Sequence, residues 1–150
     1  MRQVIESEAS GQSGFLIQRY VPCGPSSLRV VVIGQRLISY WRRQETPGRF
    51  GTSVAGGASI DHEAEPERQS AACSVTADFC RRTGLQLAGF DFIFDTDDRR
   101  SGPLMLEINY YFGRSGLGGS EAFYCILADE VDTWLAGHGL SRTQPARRRF

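Results

Sequence analysis

The sequence predicts an α+β domain, a mostly antiparallel sheet with two helices packed on one face. Three observations carry that expectation. Short β-rich runs lie next to one another in pairs joined by turn residues, two longer segments show helical spacing, and no internal repeat interrupts them. A length of 150 residues suits one domain with one core. We place that domain at residues 1–140 and read Ser141 to Phe150, which contains Arg147, Arg148 and Arg149, as a basic tail.

The first β-rich run, Phe15 to Val21 (FLIQRYV), stops at Pro22, Gly24 and Pro25. Leu28 to Ile33 (LRVVVI) and Leu37 to Arg43 (LISYWRR) follow, joined through Gly34-Gln35, a pair suited to a two-residue hairpin turn. With Ile33 opposite Arg36, Arg29 faces Tyr40 and Val31 faces Ile38. Period-2 alternation then puts Arg29 and Arg42 on one face. Gln44 to His62 holds Gly48, Gly51, Gly56 and Gly57 without periodicity and reads as a long loop, the kind that is usually functional or disordered.

A helix is expected from Pro66 to Gly84, with Glu65 and Glu67 near its start and Ala71, Ala72, Val75 and Phe79 as its apolar stripe. Ala88 to Asp95 and Pro103 to Asn109 read as two more strands. The last helix spans Ser120 to Ala136, with Ser120 as N-cap and Gly137 after its end.

All 17 basic residues are arginine, and 17 acidic residues balance them. The absence of lysine excludes a Schiff base, a P-loop lysine or any ammonium grip on phosphates from this chain. Balanced charge argues against a general nucleic-acid or membrane-surface binder. Met1 to Ser10 has no apolar core of signal-peptide length, and no apolar run approaches the ~18 residues of a membrane span, so a cytoplasmic location is the default. Cys23, Cys73, Cys80 and Cys125 form no C-x-x-C pair and read as reduced, mostly buried thiols. Their spacing, and the distance between His62 and His138, do not suit zinc.

The most informative stretch is Phe90 to Asn109. Pairing its strands around a connection near Arg99 sets Phe90 opposite Ile108, Phe92 opposite Leu106 and Phe94 opposite Leu104, an apolar face. On the other face Asp91 lies across from Glu107, with Asn109 two residues on. Opposed carboxylates repel unless something offsets the charge. A magnesium ion, a shared proton or plain solvation each answers that cost. Two other motifs fail. Asp95 to Asp98 opens like a calcium loop, but Arg99 and Leu106 stand where ligands are needed. Gly113 to Gly119 is glycine-rich without being a P-loop, although a backbone anion site before a helix remains compatible with it. No nucleophile–histidine arrangement stands out.

Taken in order, Gln18-Arg19-Tyr20-Val21, Leu28 to Gly34, Arg42, Phe50 with Gly56-Gly57-Ala58, Ala88 to Phe92, and Leu106 to Asn109 resemble the C-terminal subdomain of ATP-grasp enzymes of the RimK-like amino-acid ligase type. The resemblance covers roughly Phe15 to Leu135. It implies ATP-dependent ligation of a carboxylate to an amine or thiol through an acylphosphate. On that resemblance, the backbone of Gln18, Tyr20 and Val21 would meet the adenine, and Asp91, Glu107 and Asn109 would hold Mg²⁺, or Mn²⁺ in its place. Arg29 and Arg42 would orient phosphate or a substrate carboxylate. Ser53 and Ser27 stand where related ligases carry an asparagine and an acidic residue.

ATP-grasp sites also need a preceding, lysine-bearing subdomain, and only ~20 residues precede the adenine-contacting run, too few for a domain. The chain is therefore expected to be the magnesium side of a ligase, completed by a missing subdomain or partner chain, with self-association open to it. The alternative is a non-catalytic interaction module that keeps the fold.

Overall fold

The computed structural model describes residues 17–46, 51–52, 54–98 and 100–141. Five strands form one antiparallel sheet: β1 (Ser26–Ile33), β2 (Arg36–Arg43), β3 (Ser59–Asp61), β4 (Leu87–Ile93) and β5 (Leu104–Asn109). Their order across the sheet is β3-β2-β1-β4-β5. Two helices complete the architecture, α1 (Pro66–Thr83) and α2 (Gly119–Gly137). The α+β class is as read from sequence.

The β1–β2 register is the expected one. Ile33 pairs with Arg36, Val31 with Ile38 and Arg29 with Tyr40, and Gly34 takes the positive φ (59°) that the two-residue turn needs. The first β-rich run is a correction, because residues 17–21 form no strand; Phe15 and Leu16 lie outside the described residues. The third strand on that side comes instead from the loop, where β3 pairs Asp61 with Trp41 and Ser59 with Arg43. Three residues are too short to leave a readable alternation.

The helices do not share a face. Leu28, Val30 and Val32 of β1 pack with Ala72, Cys73, Phe79 and Cys80 of α1, whereas Val31 and Ile33 pack with Phe123, Ile126 and Leu127 of α2. The run LRVVVI carries apolar side chains at both parities, so each face needs its own cover. The stripe of α1 is also rotated from the expected one: Gln69, Ala72 and Thr76 are buried and Val75 is exposed. Gln69 is held there by polar contacts, accepting from Ser39 Oγ (2.7 Å) and donating to the carbonyls of His62 and Ala64 (2.8 Å each). Gly84 ends α1 in the left-handed region, its N–H donating to Cys80 O. Gly118, not Ser120, precedes α2. None of the cysteines is fully buried as expected: Cys23, Cys73 and Cys80 are half-buried and Cys125 is exposed, and all four are free thiols.

The β4–β5 hairpin keeps the expected pairs Phe90–Ile108 and Asp91–Glu107, then breaks step. A bulge puts Phe92 opposite Met105 and Ile93 opposite Leu104, in place of the expected Leu106 and of Leu104 opposite Phe94. Three consecutive apolar residues, Leu104 to Leu106, offer no alternation to resist the shift. Leu106 consequently leaves the core face and stands half exposed beside Glu107.

α2 covers only one end of its sheet face. Glu130 anchors it to the β1–β2 turn, its carboxylate accepting from Gln35 N (2.8 Å) and Arg36 Nε (2.8 Å). The other end of that face carries Arg29, Tyr40, Arg42 and Asp91. Where the two ends meet, Tyr40 lies against Gly116, at which a Cβ would stand 2.2 Å from the ring's Cζ. Gly116→Ala is therefore expected to destabilise the protein by about 1–3 kcal/mol through overpacking. Urea unfolding tests this, and an unchanged midpoint would contradict the packing.

Candidate functional site

The residues singled out on the β1–β2 hairpin and on β4–β5 do coincide on one face. β1 is the shared neighbour: Arg29 pairs with Tyr40 on one side and with Asp91 on the other. Parity then aligns Arg42 and Glu107 with them, and Asn109 lies two residues beyond Glu107 on the same strand.

Asp91 is at the centre, with its side chain 2% exposed. Arg29 grips it bidentately, Nε to Oδ1 at 2.7 Å and Nη2 to Oδ2 at 2.6 Å. Arg42 Nη2 adds a second ion pair to Oδ1 at 2.9 Å, and Asn109 Nδ2 a long contact to Oδ2 at 3.4 Å. A carboxylate has about four acceptor positions, and those of Asp91 are all engaged. Burial pushes the Asp91 carboxyl up, but the hydrogen bond from Arg29 and the charges of Arg42 and Arg29 outweigh it and hold the group below its ordinary value. The Arg29 guanidinium is likewise drawn down by burial and raised further by Asp91, so it stays charged. The expected repulsion between Asp91 and Glu107 is thus offset by the two arginines themselves.

Around this clamp the contacts continue. Arg42 Nη2 also donates to Ser27 Oγ (2.9 Å), which hydrogen-bonds Thr52 Oγ1, and Gln44 Nε2 donates to Gly51 O (3.3 Å). The long loop is thereby tied to the site. Asn109 Nδ2 bonds Glu107 Oε1 at 2.9 Å, and among the described residues no arginine lies within ion-pair distance of Glu107. A hard divalent cation takes oxygen ligands: Glu107 offers a carboxylate with no arginine within ion-pair distance, whereas Asn109 turns its Nδ2 to both acids and would have to turn its amide over to offer Oδ1. Asp91 could join only by giving up a present contact.

Two cavities flank the clamp. One, of about 390 Å³, is lined by Tyr20, Ser27, Arg42, Asp91, Leu106 and Glu107 among others. The second, of about 470 Å³, is walled by Arg29, Tyr40 and Arg42 and by Gly113, Ser115 and Gly116 of the glycine-rich segment. Of the expected adenine-contacting residues, Tyr20 is exposed at the mouth of the first cavity, while Gln18 is exposed and Val21 half-buried in irregular chain. Asp95 closes a turn, accepting from the N–H groups of Asp97 (2.9 Å) and Asp98 (3.4 Å), as suits a hairpin connection. Gly56 ends a short 3-10 turn and Gly57 follows with φ 91°; Phe50 and Ser53 lie outside the described residues.

Sequence reasoning missed Tyr40. Its buried ring stands 5.4 Å from that of His62, and burial raises its phenol against the pull of Arg29 and Arg42. Its place opposite Arg29 in the expected register was the signal available.

A family model, the RimK-like ATP-grasp domain, matches residues 1–126. The chain belongs to the RimK-like ATP-grasp family. Among curated relatives, a probable alpha-L-glutamate ligase of Xanthomonas campestris pv. campestris (strain B100) is 32% identical over 120 residues, covering 79% of this chain and 38% of that protein. Probable alpha-L-glutamate ligase 2 of Shewanella denitrificans is 29% identical over 116 residues, 76% of this chain and 36% of its own length. The RimK-like chain thus spans less than two-fifths of the relatives it matches. Among the described residues no helix is long and apolar enough to cross a membrane.

Asp91→Asn would leave two buried guanidinium groups facing a neutral amide and is expected to cost about 3–5 kcal/mol. The lowered Asp91 value has a defined pH signature. Its contribution is fully present above the unfolded-state value of about 3.9 and is lost as pH falls through the lower folded-state value. Urea titrations between neutral pH and pH 2 should show the gap between wild type and Asp91→Asn closing at the acid end. A gap that stays constant would contradict the ion pairing.

Proposed function

We propose that this chain forms the Mg²⁺- and phosphate-facing half of an ATP-dependent ligase that joins a carboxylate to an amine through an acylphosphate. The single observation that carries the reading is the convergence of Arg29, Arg42, Asp91, Glu107 and Asn109 on one sheet face between two cavities. The names of the relatives suggest glutamate as the class of substrate. Glu107 and Asn109, with Asp91, would hold Mg²⁺, which when bound supplies positive charge to the phosphates. On the side of the first cavity, the chain from Gln18 to Val21 would present its backbone to the adenine. Arg29 and Arg42 wall the second cavity with fixed positive charge, where an anionic acid can be oriented without lysine. The lysine-bearing partner surface would come from a further subdomain or another chain.

A second reading, a non-catalytic interaction module, is favoured by one observation. Edge strand β5 carries the partly exposed Met105 and Leu106 and leads into the exposed Tyr110 and Tyr111. Such a module would bind its partner without nucleotide.

Glu107 separates the readings because its side chain contributes little to the core. Titration calorimetry with ATP and Mg²⁺ should show binding to the whole chain that weakens at least tenfold in Glu107→Gln. Equal binding by the two proteins, or none by either, would set the ligase reading aside.

A further inference from the structure

The inward face of α2 outruns the sheet it covers. Phe123, Leu127 and Glu130 follow the spacing of one helix face and are buried or half-buried, and Trp134 is the next residue on that face. Beneath it lie the β1–β2 turn and the start of β4, and Trp134 is left 48% exposed. The His138 ring packs against the indole, with ring centroids 4.2 Å apart, and holds it in place. Trp134, Val131 and Leu127 thus form one wall of a groove of about 220 Å³ whose floor is the β1–β2 turn and Leu87.

Charge and chain path say what fits there. α2 has four acidic side chains and no basic one. Arg36 pairs with two of them, Asp129 and Glu130, so the helix keeps an excess of negative charge. At its end the chain turns back. Gly139 takes φ 67°, and the N–H groups of Gly139 and Leu140 donate to Ala136 O (3.1 Å) and Leu135 O (2.9 Å) respectively, a closure that folds Leu140 over the last turn. The chain therefore reaches Ser141 close to the turn that carries Trp134. Residues 142–150 follow, outside the described residues, and contain four arginines, Phe150 and no acidic residue. Fully extended they span about 30 Å, against about 10 Å of helix between Trp134 and Leu127. Trp134, Val131 and this segment all lie beyond residues 1–126, the stretch that the family model matches.

We propose that residues 142–150 are the occupant of this groove, with Phe150 against Leu127, Val131 and Trp134 and the arginines against the carboxylates of α2. Arginine suits both parts of the surface, since its guanidinium pairs with carboxylates and stacks on an indole face. Phe150 takes apolar area of its own and of the groove out of water. Because the segment is tethered beside the groove, its effective concentration there is high, and modest contacts suffice to seat it. Seated, it covers the overhang of α2 and ties the helix end to the β1–β2 turn. The seating is independent of the ligase chemistry.

Tryptophan fluorescence reads this directly. The chain has two tryptophans, and Trp41 is buried in the core, so quenching by acrylamide reports Trp134, with Trp134→Phe supplying the Trp41 background. On the whole chain at low salt, the Trp134 quenching constant should rise about twofold in the triple variant Arg147→Glu, Arg148→Glu, Arg149→Glu, and salt, which screens exposed ion pairs, should raise it in the unaltered chain too. Phe150→Ala should raise it as well. The shielding in the unaltered chain should not depend on protein concentration, because the segment and the groove belong to one molecule. Quenching that is equal in the unaltered chain and the variants, or that ignores salt, would overturn the proposal. Shielding that fades on dilution would overturn it also, by placing a second copy of the chain in the groove.

Discussion

A carboxylate buried to 2% exposure is tolerable only if its charge is met where it stands, and at Asp91 that is done by a bidentate arginine and a second guanidinium. The rest of the site depends on this clamp. Arg29 and Asp91 sit on neighbouring strands in direct register, so the pairing of β1 with β4 and the ion pair enforce each other. Arg42 arrives from β2, on the other side of β1, by the same parity. Removing the carboxylate would leave two cations facing each other in the middle of a sheet.

The remaining structure arranges what surrounds this clamp. α1 seals the opposite face with Ala72, Phe79 and their neighbours, and leaves the site face to α2. α2 covers only the end of that face near the β1–β2 turn, where Glu130 ties it down, and so leaves the arginine end open. The bulge in β5 turns Leu106 out beside Glu107, giving one cavity an apolar wall next to a carboxylate. Gly116 lets the glycine-rich segment approach the Tyr40 ring and form the wall of the other. Arginine in place of lysine suits such a site, because the guanidinium holds its charge under burial and offers a flat edge for two-point contacts.

Much of this was legible in the sequence. The Gly34-Gln35 turn set the β1–β2 register, and with it the common face of Arg29 and Arg42; opposed Asp91 and Glu107 followed from alternation in Phe90 to Phe94. What escaped was governed by contacts between segments. Which side each helix covers is written only in the double parity of LRVVVI, which reads equally as a buried run. The β5 bulge is invisible within an unbroken Leu104 to Leu106. β3 is too short to announce itself, and residues 17–21, the described part of the run ending at Val21, have strand composition without forming a strand. The Asp91 clamp was missed for a different reason: joining the two hairpins needs the β1–β4 pairing, which local patterns do not contain. Once that pairing is known, the carboxylate repulsion that suggested a metal is seen to be met first by arginine.

The central claim is that Arg29 and Asp91 act as one unit. A double-mutant cycle of Arg29→Met and Asp91→Leu, read by urea unfolding at neutral pH, measures it most directly. Each single change should be costly, Arg29→Met because Asp91 keeps only its Arg42 ion pair and Asp91→Leu because both guanidinium groups lose their carboxylate, and the double variant should cost less than the two singles together, for a coupling of about 2–3 kcal/mol. Single losses that simply add in the double variant would contradict the account.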